Sequence, residues 1–82
     1  MLSLILHRAP TQGFYRVDLT DNLFGEYSVA REWGRQGRSL GLRIRLYGNL
    51  REATQAADHW RRGAQRRGYS LTEEYVAGPR PS

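Results

Sequence analysis

Apolar and polar positions alternate through the first half of this chain and then change period once. Leu2-Ser3-Leu4-Ile5-Leu6-His7-Arg8 reads as a first strand, and Pro10-Thr11-Gln12-Gly13 as a turn cluster. From Phe14 to Asp21, Tyr15, Val17 and Leu19 share one face and Arg16 and Asp18 the other, which gives a second strand. Asp21-Asn22-Leu23-Phe24-Gly25 is rich in turn residues, and Leu23 and Phe24 are expected to fold back onto apolar surface. A third strand is expected from Glu26 to Trp33 and a fourth from Leu40 to Tyr47. The fourth divides most cleanly. Leu40, Leu42, Ile44 and Leu46 point one way and are expected to enter the core. Arg43, Arg45 and Tyr47 point the other way, as a basic stripe ending in an aromatic.

At Asn49 the period becomes helical. Asn49 is a suitable N-cap, and Glu52, three residues on, can reach back to the cap amide. At 100° per residue, Leu50, Ala53, Ala56, Ala57, Trp60 and Ala64 form one stripe, opposite Arg51, Gln55, Asp58, His59, Arg62, Gln65 and Arg66. The stripe is small except for Trp60, so the helix can lie close on a sheet with one bulky anchor in the core. Gly68 is the expected stop, after a last turn carrying Arg66 and Arg67. Tyr69 to Val76 can add a short last strand. The expected fold class is α+β: an antiparallel sheet of four to five strands with one main helix packed on it.

With 82 residues the chain is one domain, placed at residues 1–77, with a flexible tail at 78–82. It has no Cys, hence no disulfide and no thiolate metal site, and its two His, His7 and His59, are far apart. No metal and no cofactor are expected. No apolar run approaches the roughly 20 residues of a membrane span, and Leu2 to Leu6 is too short for a secretory signal. A cytoplasmic protein with no membrane partner is the expectation. The net charge is +5, and all 13 basic residues are Arg. Each can bind phosphate bidentately or stack on a ring, so the balance favours polyanions.

One stretch carries candidate chemistry. In Trp33-Gly34-Arg35-Gln36-Gly37 a flat aromatic stands beside a guanidinium, at glycines that permit a tight connection between strands. Trp offers an apolar face and Arg a planar fork for phosphate. No nucleophile–base–orienter set and no phosphate-binding loop of the strand–glycine–helix kind is present. The chain is therefore expected not to be an enzyme.

With its elements in this order, the sequence resembles the WGR domain, a family found inside poly(ADP-ribose) polymerases and as small bacterial proteins. The resemblance rests on Phe14-Tyr15-Arg16-Val17, the loop at Asp21 to Gly25, and the signature Arg31-Glu32-Trp33-Gly34-Arg35-Gln36-Gly37. It is completed by Glu52-Ala53 in the helix and by Arg66-Arg67-Gly68-Tyr69. Relatives often carry a Lys in the last helical turns, near Ala64, and this chain has none. The resemblance implies a compact sheet with one helix and no activity of its own. It also implies DNA binding at strand breaks, with Trp33 packed on the sugar of a terminal nucleotide and Arg35 linking DNA to a neighbouring domain.

The expected nucleic-acid-binding residues are thus Trp33, Arg35, Arg38, Arg43, Arg45 and Arg31, and the expected partner is DNA at ends or nicks, or another nucleic acid. The alternative is a protein-interaction module that docks an acidic partner through the same surface.

Overall fold

A computed structural model of the chain describes residues 1–76, and the tail expected at 78–82 lies outside them. Five strands and one helix follow in order: β1 (Leu2–Arg8), β2 (Gly13–Asp21), β3 (Tyr27–Arg35), β4 (Arg38–Tyr47), α1 (Leu50–Arg66) and β5 (Ser70–Val76). The strands form a single sheet in the order β4-β3-β2-β1-β5, with every neighbouring pair antiparallel. The α+β class and the elements anticipated from the periodicity are those observed.

Local chemistry explains each connection. A 3-10 turn at Ala9–Thr11, begun by Pro10 and closed by Gln12 at φ 52°, joins β1 to β2. Between β2 and β3 the Asn22 side chain accepts from the backbone N–H of Phe24 and of Glu26, which is an Asx-type closure. Gln36 and Gly37 both have positive φ, 53° and 77°, as a two-residue turn matched to strand twist requires. So β3 and β4 run further into the Trp33–Gly37 stretch than alternation alone indicates. Asn49 caps α1 by accepting from Glu52 N–H at 2.8 Å; the return bond from the Glu52 side chain does not form. At the other end Gly68 donates to Gln65 O and Tyr69 to Ala64 O, with Gly68 at φ 97°, a complete Schellman stop.

The core lies between α1 and the middle of the sheet. Leu4, Leu6, Tyr15, Val17, Leu19 and Val29 supply the sheet side, and Ala53, Ala57 and Ala64 supply the helix side. Alanines at the contact let the helix backbone sit close to the strands. The apolar stripe of α1 is narrower than expected. Leu50 is exposed, and Ala56 and Trp60 are half-buried. Trp60 packs at the margin, where the Arg31 guanidinium lies 3.5 Å from its ring centroid.

The face of β4 is the reverse of the expected one. Val29 shares the helix-side face with Leu19 and pairs with Arg45; Arg31 pairs with Arg43. Paired residues lie on one face, so the arginines of β4, not its leucines, face the helix side. Leu40, Leu42, Ile44 and Leu46 are 64%, 50%, 63% and 55% exposed on the open face. Alternation tells which residues share a face; the core's side is decided by where the single helix lies, and β4 is an edge strand beyond it. Leu23 and Phe24 also depart from expectation. The Asn22 closure satisfies the loop internally and turns both side chains outward, Leu23 at 99% exposure.

This assignment makes a direct prediction for stability. Leu6→Ala, at a fully buried position, should cost about 2–5 kcal/mol. Ile44→Ser should stay within about 0.5 kcal/mol of the parent. Denaturant unfolding of the two variants checks the pair, and the opposite ranking would mean that the helix covers the other face.

Candidate nucleic-acid interface

Antiparallel pairing brings several chain segments to one end of the helix-side face. β1 finishes there at Arg8, β2 begins at Gly13, and β3 arrives with Trp33. The Schellman stop of α1 returns the chain there through Arg67, Gly68 and Tyr69 before β5 pairs Ser70 with His7. The result is a cleft of about 500 Å³. Its aromatic floor is Tyr15, Trp33 and Tyr69, and four arginines line it: Arg8, Arg31, Arg43 and Arg67.

Trp33 holds the centre. On the β2 side its ring stacks on Tyr15, with centroids 6.3 Å apart and planes within 17°. Tyr69 meets Tyr15 edge-on at 6.0 Å. On the β4 side Trp33 pairs with Gly41, and the six-membered part of the indole covers the place a Cβ would fill. Gly34 answers a second close approach. A Cβ there would meet the Arg38 carbonyl oxygen and the Phe14 ring. The two glycines have separate steric causes: Gly41 makes room for the indole of Trp33, and Gly34 makes room for the Arg38 carbonyl and the Phe14 ring. Trp33 is half-buried, so it is both a packing residue and part of the cleft wall.

The electrostatics of the cleft are one-sided. No carboxylate lines it, and none of its four arginines has an ion-pair partner among the described residues. The paired arginines lie elsewhere. Arg16, on the open face, sits 3.2 Å from Asp18 and 3.9 Å from Glu32, and Asp58 on the helix holds Arg61 and Arg62. The Asp58 carboxyl is lowered below its ordinary 3.8, chiefly by its hydrogen bond from Arg61; desolvation opposes this, and the charges of Arg61 and Arg62 each add a smaller lowering. Arg31 stacks on Trp60, which uses the face of its guanidinium and leaves the edge donors available. The C-terminus of α1 also points at the cleft. Its dipole opposes an anion, but by only about 0.3–1 kcal/mol, against four full positive charges.

Of the six expected residues, Trp33, Arg31 and Arg43 meet in the cleft. Arg45 lies on the same face of β4, exposed, opposite Val29. Arg35 and Arg38 pair with each other across the Gln36–Gly37 turn, exposed and outside the cleft lining. Arg8, Tyr15, Arg67 and Tyr69 were not among the six. Tyr15 reads as core from alternation, and the arginines as a strand end and a helix end. Only the topology makes those ends neighbours.

A cationic, aromatic-floored cleft thus lies on one face of an α+β sheet. The family model for the WGR domain matches residues 1–76, and the chain belongs to that family. WGR is a binding domain, not a catalytic one, known in nucleic-acid-binding contexts. Comparisons with curated proteins and with solved structures give no significant match. Among the described residues no helix is long and apolar enough to cross a membrane.

Gly41→Ala tests the seat of Trp33. The methyl group must displace the indole, at about 1–3 kcal/mol of stability, and the Trp33 fluorescence should change with it. A variant as stable as the parent, with an unchanged spectrum, would show that the ring does not rest on β4.

Asp58→Asn gives a second check. A carboxyl lowered on folding stabilises the fold above its unfolded value near 3.8, and that contribution fades as the pH falls through the folded value. The melting temperature of Asp58→Asn should lie slightly below the parent's at about pH 6 and meet it at about pH 2. The effect should be small, because the pair is exposed. An equal deficit at both pH values would mean that Asp58 acts through packing.

Proposed function

We propose that this WGR domain is a non-enzymatic nucleic-acid-binding module that engages DNA at ends or nicks. The observation that carries the reading is the convergence of four arginines beside an aromatic floor in one cleft, with no carboxylate lining it and no ion-pair partner for any of the four among the described residues. Arg8, Arg31, Arg43 and Arg67 contact backbone phosphates, and Arg45, Arg35 and Arg38 extend the positive surface along β4 and the hairpin turn. The free part of the Trp33 ring covers a terminal sugar or exposed base. That contact exists only where the duplex is interrupted, because an intact helix hides the faces the ring would cover. Phosphate contacts carry no sequence information, so base preference is slight.

The test compares nicked or blunt-ended DNA with a closed circle. Trp33→Ala should weaken binding to interrupted DNA by a further 5- to 150-fold or so, the equivalent of about 1–3 kcal/mol for an aromatic–base stack. Arg45→Ala should weaken both substrates alike. Each phosphate contact removed should reduce the slope of log K against log[salt] by about 0.9. Because Trp33 also packs on Tyr15, the variant is compared well below its own melting temperature. An unchanged ratio would remove Trp33 from the interface. No binding to any DNA or RNA at low salt would leave an acidic protein as the occupant of the same cleft.

A further inference from the structure

The edge strand β4 carries two separate ladders, and the cleft uses only part of one. On the open face stand Leu42, Ile44 and Leu46, at least half exposed, with Leu40 beyond them at the bulge. Leu46, Ile44 and Leu42 pair with Ser28, Ala30 and Glu32 on β3, so two of the three flanking side chains are small and the ladder has little lateral cover. On the helix side the same strand carries Arg43 and Arg45, without carboxylate partners. From Gly41 to Tyr47 the pairing with β3 is unbroken, and the bulge falls before it, between Trp33 and Gly34. The strand is regular and contains no Pro, and no strand pairs with its outer edge among the described residues. The other edge differs. β5 is bulged against β1 and carries Glu73 and Glu74 in succession, which breaks any apolar ladder and charges the edge.

We infer that the outer edge of β4 accepts an extended protein segment as a sixth strand, and that this segment alternates acidic and apolar residues. A strand added here forms main-chain hydrogen bonds with β4, and its side chains fall in register on the two faces. Acidic side chains on the helix side meet Arg43 and Arg45. Apolar side chains on the open face cover Leu42, Ile44 and Leu46. Both ladders are satisfied only by a partner of that period.

A second copy of the chain does not fit. Two β4 edges paired antiparallel about Ile44 place the arginines of both copies side by side on one face, and like charges directly opposite are destabilising. The partner is therefore a different segment, whose charge opposes this one's. The inference shares Arg43 and Arg45 with the proposed DNA surface, but it rests on the unpaired edge and the open face of β4 and not on the aromatic floor.

The probe is a capped nonapeptide that alternates Glu and Val, titrated into the isotope-labelled chain. Two controls have the Glu and Val gathered in blocks, or Lys in place of Glu. The alternating peptide should slow hydrogen exchange at the β4 amides that point away from β3, and the controls should not. Ile44→Lys and Arg45→Glu, both at exposed positions, should each weaken the peptide at least tenfold without lowering the melting temperature. Equal binding of the block peptide, or no binding, would overturn the inference. So would shifts confined to Trp33, Tyr15 and Tyr69, or β4 amides that respond to a short duplex and not to the peptide. Concentration-dependent dimerisation through β4 would overturn it in favour of a second copy.

Discussion

One helix has to seal a five-stranded sheet, and most of the structure follows from what it can and cannot reach. The side chains that α1 buries are alanines, which bring it close to the strands but cover little area. It therefore closes over the middle of the sheet, where Leu4, Leu6, Val17, Leu19 and Val29 form the dry core. Beyond the C-terminal end of α1 the helix-side face is left open, and there the arginines and aromatics gather. β4, at the edge, is exposed along nearly its whole length. The cleft and the unpartnered strand are two consequences of the same incomplete cover.

The Trp-Gly-Arg signature gains a physical reading within this frame. Gly34 admits the Arg38 carbonyl and the Phe14 ring, which lets β4 turn close against β3, and Gly41 on β4 admits the indole, so the large ring is seated by a glycine outside the signature. Stacking on Tyr15 and the edge-on contact of Tyr69 fix the ring from the other side. A ring held on two sides loses little freedom when a ligand covers its remaining surface. Under the proposed function, packing and binding are not competing roles for Trp33; the first prepares the second.

The sequence disclosed the elements far better than it disclosed their faces. The helix was legible because Asn49 and Gly68 mark its ends and the alanines repeat at helical period. The strands were legible because they alternate. What alternation could not give was the side on which the core lies. Val29 decides that for β4 through its pairing with Arg45, and no local pattern in Arg38–Tyr47 reports it. The candidate site was half legible for a related reason. Trp33, Arg31 and Arg43 sit on adjoining strands and were named together. Arg8 and Arg67 come from a strand end and a helix end 59 positions apart, and only the strand order joins them. Leu23 and Phe24 misled because hydrophobicity suggested burial where Asn22 had already closed the loop.

The central claim is that the cleft around Trp33 is where nucleic acid is held. The most direct measurement is an amide and indole shift map of the labelled chain titrated with a short nicked duplex at low salt. The account predicts that the Trp33 indole N–H and the amides of Tyr15, Arg31, Arg43 and Tyr69 move together, with one shared affinity, while those of Asp58 and Arg62 on the far helix face stay fixed. Shifts spread evenly over every exposed arginine, with the Trp33 indole unmoved, would contradict it.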